Sequence, residues 1–493
     1  MPFFTRTLLP AALPRLLARL ALLIALATVL PAGASALPET VSKALAQAQI
    51  PESAVGIWVQ GVDSDHPSLA HNAHTAMNPA SVMKLVTAYA VLDALGSHYT
   101  WNTEVLSEGE LRNGMLQGNL YLRGSGDPVL DFKRLWSLLR QVRASGIGHV
   151  TGDIVLDASA LNLPGHDPHA FDGRGLRPYN SGPYGLLLHF NTLGLSLTPG
   201  TRAGEAVSLQ PQQPLAGLKV ANRLVTSTGN CGAWWYTNLD ASLQPGANGA
   251  PPELVISGNL PAACGRREWA TAPLPPEAYA SALVAGLWAE LGGTLDGRVR
   301  EGQATTAARR LLTDTSPALA EVVREMNKWS SNVIARQLLA TLGRVHGGAG
   351  GMLDAVSAGA GVVKARMAED GIDTRTLVIE NGSGLSRIER IAPAALGHVL
   401  QVVWRSPYMP EFIAALPVAG QDGTARRRLQ DSPARGQAHI KTGTINGVQA
   451  ISGYLLDRHG RRHVVVMMVN HPRAADSRTA QDALLEWVWS RPR

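Results

Sequence analysis

The distribution of apolar positions divides the chain into three stretches. Residues 55–60 predict a strand and 67–75 a partner strand. From Ala80 the spacing becomes helical, with Met83, Leu85, Val86, Ala90, Val91 and Leu95 on one face and Gly96 at the end. Ser81 then sits at a helix N-terminus, with Lys84 one turn later on the same face. The next two hundred or so residues are rich in Gly and Pro, with strand-like runs at 119–123, 153–157, 206–210 and 253–256. Helical patterns at 132–143 and 276–291 interrupt them. Beyond Ser316 helices return at 319–326 and 332–342. Strands follow at 376–380, 438–441, 448–456 and 463–470, then a last helix at 480–489. Antiparallel strands at both ends of the chain predict one α/β (α+β) domain split by a long insertion.

Residues 1–36 follow another pattern. Arg6, Arg15 and Arg19 precede an apolar run over 20–30 and then Ala34-Ser35-Ala36, the layout of a secretory signal cut after Ala36. The apolar run is shorter than the roughly 20 residues a bilayer requires, which favours cleavage over an uncut anchor. The expected location is therefore the periplasm. The formal net charge is +6, of which the leader's three arginines supply half. The +3 that remains is too small to suggest nucleic acid as a partner. Arg426-Arg427-Arg428 and Arg461-Arg462 read as solvated surface, allowing at most weak peripheral attraction to membrane or anionic wall polymer. The apolar C-terminal run 484–489 reads as a packed helix rather than a membrane foot. Cys231 and Cys264, the two cysteines, lie far from every motif and suit a structural disulfide in an oxidising compartment.

Three short motifs carry the chemistry: Ser81-Val82-Met83-Lys84, Ser330-Ser331-Asn332 and Lys441-Thr442-Gly443. A serine hydroxyl needs a base, and a desolvated lysine close to other cations can serve as one. Spacing of i, i+3 brings the Ser81 hydroxyl and the Lys84 amine together, and the helix N-terminus aims backbone N–H groups at developing negative charge. Of 44 basic residues only seven are lysine, and two of these are Lys84 and Lys441. Arginine cannot surrender a proton at workable pH, so lysine is kept where a proton must move. Ser330-Ser331-Asn332 is less specific, since Ser also favours helix N-caps. In the functional reading it presents the Ser330 hydroxyl and the Asn332 amide to a cleft. Lys441 and Thr442 suit a terminal carboxylate, and Gly443 would let a substrate backbone lie close to the strand. His166, Asp167, His169 and Asp172 are candidate metal ligands by type, but Pro168 and the loop context argue against that geometry, so no metal and no organic cofactor are expected.

In this order, the motifs resemble those of the penicillin-recognising serine enzymes. About 250 residues separate Ser81 from Ser330, more than a compact β-lactamase needs. The chain is thus similar to the class C low-molecular-mass penicillin-binding proteins, the D-alanyl-D-alanine carboxypeptidase/endopeptidase family S13. Tyr121 to Pro128, Gly152 to Asp157, Asn381 to Arg387 and Gly420 to Thr424 also resemble segments of that family. The resemblance implies a β-lactamase/transpeptidase-like domain, with an antiparallel sheet flanked by helices, interrupted by two nested, mainly β domains. The implied layout is a signal at 1–36 and a catalytic domain at 37–100 and 300–493. Inserted domain II would span 101–180 and 271–299, with nested domain III at 181–270. It also implies roles. Ser81, activated by Lys84, would attack the D-Ala-D-Ala bond of peptidoglycan stem peptides, and the N–H groups of Ser81 and Thr444 would hold the oxyanion. Ser330 and Lys441 would pass a proton to the leaving amine, Asn332 would bind the substrate amide, and Lys441, Thr442 and Gly443 would flank the substrate. β-Lactams would acylate the same serine. The competing readings are a β-lactamase or esterase on the same core, for which no deacylation base is evident, and a non-catalytic wall-binding module. Five intact catalytic side chains argue against the module.

Overall fold

The computed structural model describes residues 37–246, 250–347 and 353–492; the expected leader lies outside the described residues. A five-stranded antiparallel sheet runs in the order Ala438–Ile445, Val448–Leu456, Arg462–Asn470, Val55–Gly61, Leu69–His71. Val55 pairs with Val469, so the two ends of the chain close one sheet across the insertion. The strand Arg462–Asn470 explains its own unbroken apolar run. Val464, Val466 and Met468 enter the core on one face, while Val465, Met467 and Val469 enter the core on the other. Successive strand residues point to opposite faces, and both faces here are covered. Helices Glu39–Gln47 and Arg478–Ser490 cover one face, and the C-terminal helix buries Leu484, Leu485 and Val488, as a packed helix should.

The other face carries the helix Met83–Leu95. Sequence spacing suggested a single apolar face, but every residue from Met83 to Leu92 is buried. The reason is position: helices Leu319–Trp329, Asn332–His346, Ala355–Glu369 and Pro393–Arg405 all contact it. A helix hydrophobic all round lies inside a core. Residues 376–380, expected to be a strand, make only a single bridge, Val378 to Arg390. The backbone N–H groups of Glu380, Asn381 and Gly382 instead donate to the Glu389 carboxylate, which curls the segment into a loop.

The insertion starts with a mixed sheet of seven strands, including Asn102–Arg112, Met115–Arg123 and Ile154–Asp157. Helices Phe132–Ala144 and Pro276–Glu290 bury Leu135, Leu139, Leu283 and Leu287 against it. This sheet carries on past the expected boundary at residue 300, because Arg309–Thr315 pairs with Asn102–Arg112. Within the insertion sit two three-stranded sheets with their own core, and the Cys231–Cys264 disulfide ties this part together.

Candidate active site

The chain before the nucleophile is fixed by amide side chains. Asn78 Oδ1 accepts from Ala80 N, Asn78 Nδ2 donates to the Ser386 carbonyl, and Asn470 Nδ2 donates to the Asn78 carbonyl. Ala80 adopts φ +46°, and a single 3₁₀ turn, Ala80–Val82, then leads into the helix. Ser81 is thereby held at the mouth of the helix.

Lys84 is fully buried, and its amine has three oxygen neighbours. Ser81 Oγ lies at 3.0 Å, Asn332 Oδ1 at 2.7 Å, and the Ser383 carbonyl completes the set. Burial is the largest cause that drives its pKa well below the ordinary value, and the Lys441 charge adds to it. A neutral amine has two hydrogens and one lone pair. Two of the three neighbours, Asn332 Oδ1 and the Ser383 carbonyl, can only accept. The lone pair is left for the Ser81 hydroxyl.

Lys441 is equally buried, and burial pulls it down to about 7. Its Nζ donates to Ser330 Oγ and to the Thr442 carbonyl, both at 2.7 Å. Ser330 itself ends one helix in the left-handed region, φ +58°, while Ser331 caps the next by accepting from Ile334 N. The N-cap of this triplet is thus Ser331, while its neighbour Ser330 faces Lys441. Lys328 forms an ion pair with Asp422 at 2.5 Å, which ties this corner to the loop carrying Thr424. Thr442 Oγ1 in turn meets Thr424 Oγ1 at 2.9 Å.

All five candidate catalytic side chains are thus linked in two chains of contacts, Ser81–Lys84–Asn332 and Ser330–Lys441. Three details go beyond the sequence reading. A Cβ on Gly443 would lie 2.8 Å from the Pro79 carbonyl oxygen and 2.9 Å from Ser81 N, so this glycine admits the nucleophile turn rather than only a substrate. Thr444 Oγ1 is engaged with Gln449 Oε1, which leaves its backbone, not its hydroxyl, as the group of interest. Asn332 uses its Nδ2 on the Tyr179 carbonyl, at 3.2 Å, besides holding Lys84. A segment of the insertion therefore reaches the catalytic centre. Arg336, buried beside Asn332, strengthens that link by donating to the carbonyls of Tyr179 and Ser181.

Sequence reasoning did not single out Glu389 or Arg336. Glu389 is fully buried, and its Oε1 collects three backbone N–H groups of the loop whose Ser383 carbonyl receives Lys84. Burial raises its pKa, and its charge acts on Lys84 in the opposite sense to burial. In sequence it is one acid between two arginines, Arg387 and Arg390, and resembles a surface charge. Two of the candidate metal ligands, His166 and Asp172, have other duties. His166 Nε2 lies 2.6 Å from the Asn180 carbonyl, and Asp172 accepts from the Tyr179 hydroxyl and Asn180 Nδ2. They shape the loop that delivers the Tyr179 carbonyl.

A family model described as D-Ala-D-Ala carboxypeptidase 3 (S13) family matches residues 37–490. D-alanyl-D-alanine carboxypeptidase DacB of Haemophilus influenzae is 26% identical over 452 residues, 89% of this chain and 90% of the relative. D-alanyl-D-alanine carboxypeptidase of Actinomadura sp. strain R39 is 30% identical over 424 residues, 82% of this chain and 76% of that one. The crystal structure of penicillin binding protein 4 (dacB) from Haemophilus influenzae superposes with TM-score 0.73 at 25% identity, covering 91% of this chain and 100% of its own. The same protein complexed with a β-lactam gives TM-score 0.70 at 24% identity, again covering 91% and 100%.

Proposed function

The chain belongs to the D-Ala-D-Ala carboxypeptidase 3 (S13) family and is a serine-type D-Ala-D-Ala carboxypeptidase; from that premise we propose how its residues divide the work. Lys84 takes the proton of Ser81 as Oγ attacks the carbonyl between the two terminal D-alanines of a peptidoglycan stem peptide. The observation that carries this is the amine's hydrogen-bond inventory. Two acceptors consume its hydrogens and one hydroxyl faces its lone pair.

The N–H groups of Ser81 and Thr444 stabilise the oxyanion. Ser330, hydrogen-bonded to Lys441, relays the proton that Lys84 took from Ser81 to the departing D-alanine amine, so the C–N bond breaks with a neutral leaving group and Lys84 is a free base again. Lys441 and Thr442 receive the substrate's terminal carboxylate, at a strand edge that Gly443 allows to sit against the nucleophile. Asn332 holds Lys84 in place and offers its amide to the substrate once Tyr179 yields it. Water then hydrolyses the ester, with Lys84 again taking a proton. A β-lactam acylates the same serine but leaves no free amine to depart. Cleavage of cross-links between stem peptides, an endopeptidase activity, follows from the same chemistry wherever the leaving amine belongs to a second peptide.

The Cys231–Cys264 disulfide and the leader pattern support export, and we assign the mature chain to the periplasm. Among the described residues no helix is long and apolar enough to cross a membrane. The test incubates the mature protein with fluorescent penicillin and with a pentapeptide ending in D-Ala-D-Ala, beside Ser81→Ala. The native protein should be labelled and release D-alanine, and the variant should do neither. Labelling that survives in Ser81→Ala would move the nucleophile elsewhere.

A further inference from the structure

A cavity of about 1100 Å³ lies where the inserted and nested parts meet, and none of Ser81, Lys84, Ser330, Asn332 or Lys441 lines it. Two polar side chains in its wall are nearly enclosed: Ser181 and Asn191 are each 4% exposed. The Ser181 hydroxyl and the Asn191 amide oxygen have no hydrogen-bond partner within the protein. Buried polar atoms are seldom left this way, and two in one cavity wall point to a polar occupant.

The opposite wall is a strand edge. Leu239–Gln244 is the outer strand of its sheet, and residues 237–243 line the cavity in succession. In an antiparallel strand the N–H and C=O of one residue point the same way, and the direction alternates. The Leu239 carbonyl accepts from Arg177 Nη2 at 3.2 Å, outside the sheet, so Leu239, Ala241 and Leu243 turn their backbone outward. Among the described residues no other segment pairs with that edge. An exposed edge of this kind accepts an added extended strand.

The lining charges carry both signs, with Arg174 and Arg177 near Asp240 and Glu277. That suits a peptide bearing amines and carboxylates better than a polyanion. Of the two aromatic rings in the lining, Trp269 already carries the Arg177 guanidinium 5.4 Å from its centroid, which disfavours a sugar there. We propose that this cavity binds a second peptidoglycan stem peptide, extended along Ala241 to Leu243, while the first occupies the catalytic cleft. The proposal rests on the peptidoglycan reading above and deepens it. The wall segment is also the one whose Tyr179 and Ser181 carbonyls engage Asn332 and Arg336. Holding two peptides of one polymer raises their effective concentration at the catalytic centre without new contacts there.

The test first acylates Ser81 with excess penicillin, which closes the catalytic cleft. Fluorescent L-Ala-γ-D-Glu-L-Lys-D-Ala is then titrated by anisotropy. The acylated protein should still bind it saturably. Ser181→Ala should weaken that binding about 2- to 10-fold, as loss of one hydrogen bond does. Ala241→Pro removes an outward N–H and should weaken it at least as much, with the rate of penicillin acylation unchanged as proof of folding. Absence of binding to the acylated protein, binding indifferent to both variants, or capture of a peptide-free glycan chain instead would each overturn the proposal. Failure of penicillin labelling would instead sink the catalytic reading, so the two failures are separable.

Discussion

Gly384→Ala isolates the geometry of the nucleophile from its chemistry. Gly384 has φ +78°, and a Cβ there would fall 1.9 Å from the Ala80 carbonyl oxygen, 2.3 Å from its carbon and 2.7 Å from Ser81 N. Real Cβ contacts essentially never fall under 3.0 Å, so the turn carrying Ser81 must retreat by about 1 Å. Misplacement by 1 Å costs on the order of 100-fold in rate, because attack requires near-contact alignment. The left-handed backbone adds about 1–2 kcal/mol of strain for any Cβ-bearing residue. Gly371→Ala supplies the control. Gly371 has φ +71° with nothing within 4 Å of a built Cβ, so it carries the strain without the collision. The assay is the second-order acylation rate with fluorescent penicillin, alongside thermal unfolding of both variants. Both should lose similar backbone stability, but only Gly384→Ala should lose acylation. A Gly384→Ala rate within about threefold of native, a barrier change of under ~1 kcal/mol, would refute the placement of that loop against the nucleophile.

Other outcomes follow from the two buried lysines and the disulfide. Lys84→Arg keeps a cation but no dispensable proton, and acylation should fall by roughly 10²–10⁴ as general-base help is lost; a drop below tenfold would exclude Lys84 as base. Burial holds Lys441 at about 7 in the folded chain against 10.5 otherwise. Between these values the unfolded chain binds a proton that the folded one does not, so this group's stability is fully present above 10.5 and is lost as pH falls through about 7. Native Tm measured against Lys441→Met should therefore gain between pH 7 and pH 9, and parallel curves would contradict the shift. Cys231→Ser with Cys264→Ser opens a link with a sequence separation of 33, which should cost the nested part about 3–4 kcal/mol. Calorimetry should show an earlier transition while penicillin acylation persists; loss of both together would mean that the nested part is needed to hold the catalytic centre.

The framework was legible because its signals are local. The spacing of Ser81 and Lys84, the apolar run of 463–470 and the turn from Trp329 to Asn332 each fix a structure over a few residues. The gap between the first two motifs announced an insertion, and that insertion is present as three further sheets. What stayed hidden is long-range. Nothing near Asn332 in sequence reveals that its amide meets Tyr179, 153 positions away. Glu389 is chemically a surface residue until the loop at 380–382 folds over it. The strand expected at 376–380 failed for a local reason, since the Glu389 carboxylate, within nine positions, takes the N–H groups of residues 380–382. Gly443 was understood as a concession to substrate because the turn it touches lies more than 350 positions earlier.

The central claim is that Lys84 is a neutral amine whose lone pair faces Ser81. The most direct measurement is the titration of Lys84 itself, by NMR of protein labelled at lysine Cε, where seven lysines give few resonances and Lys84→Arg assigns the one that matters. The account predicts that this resonance titrates well below 10.5 and that penicillin acylation rises with pH along the same curve. A Lys84 signal still protonated at pH 10, or acylation indifferent to its titration, would contradict it.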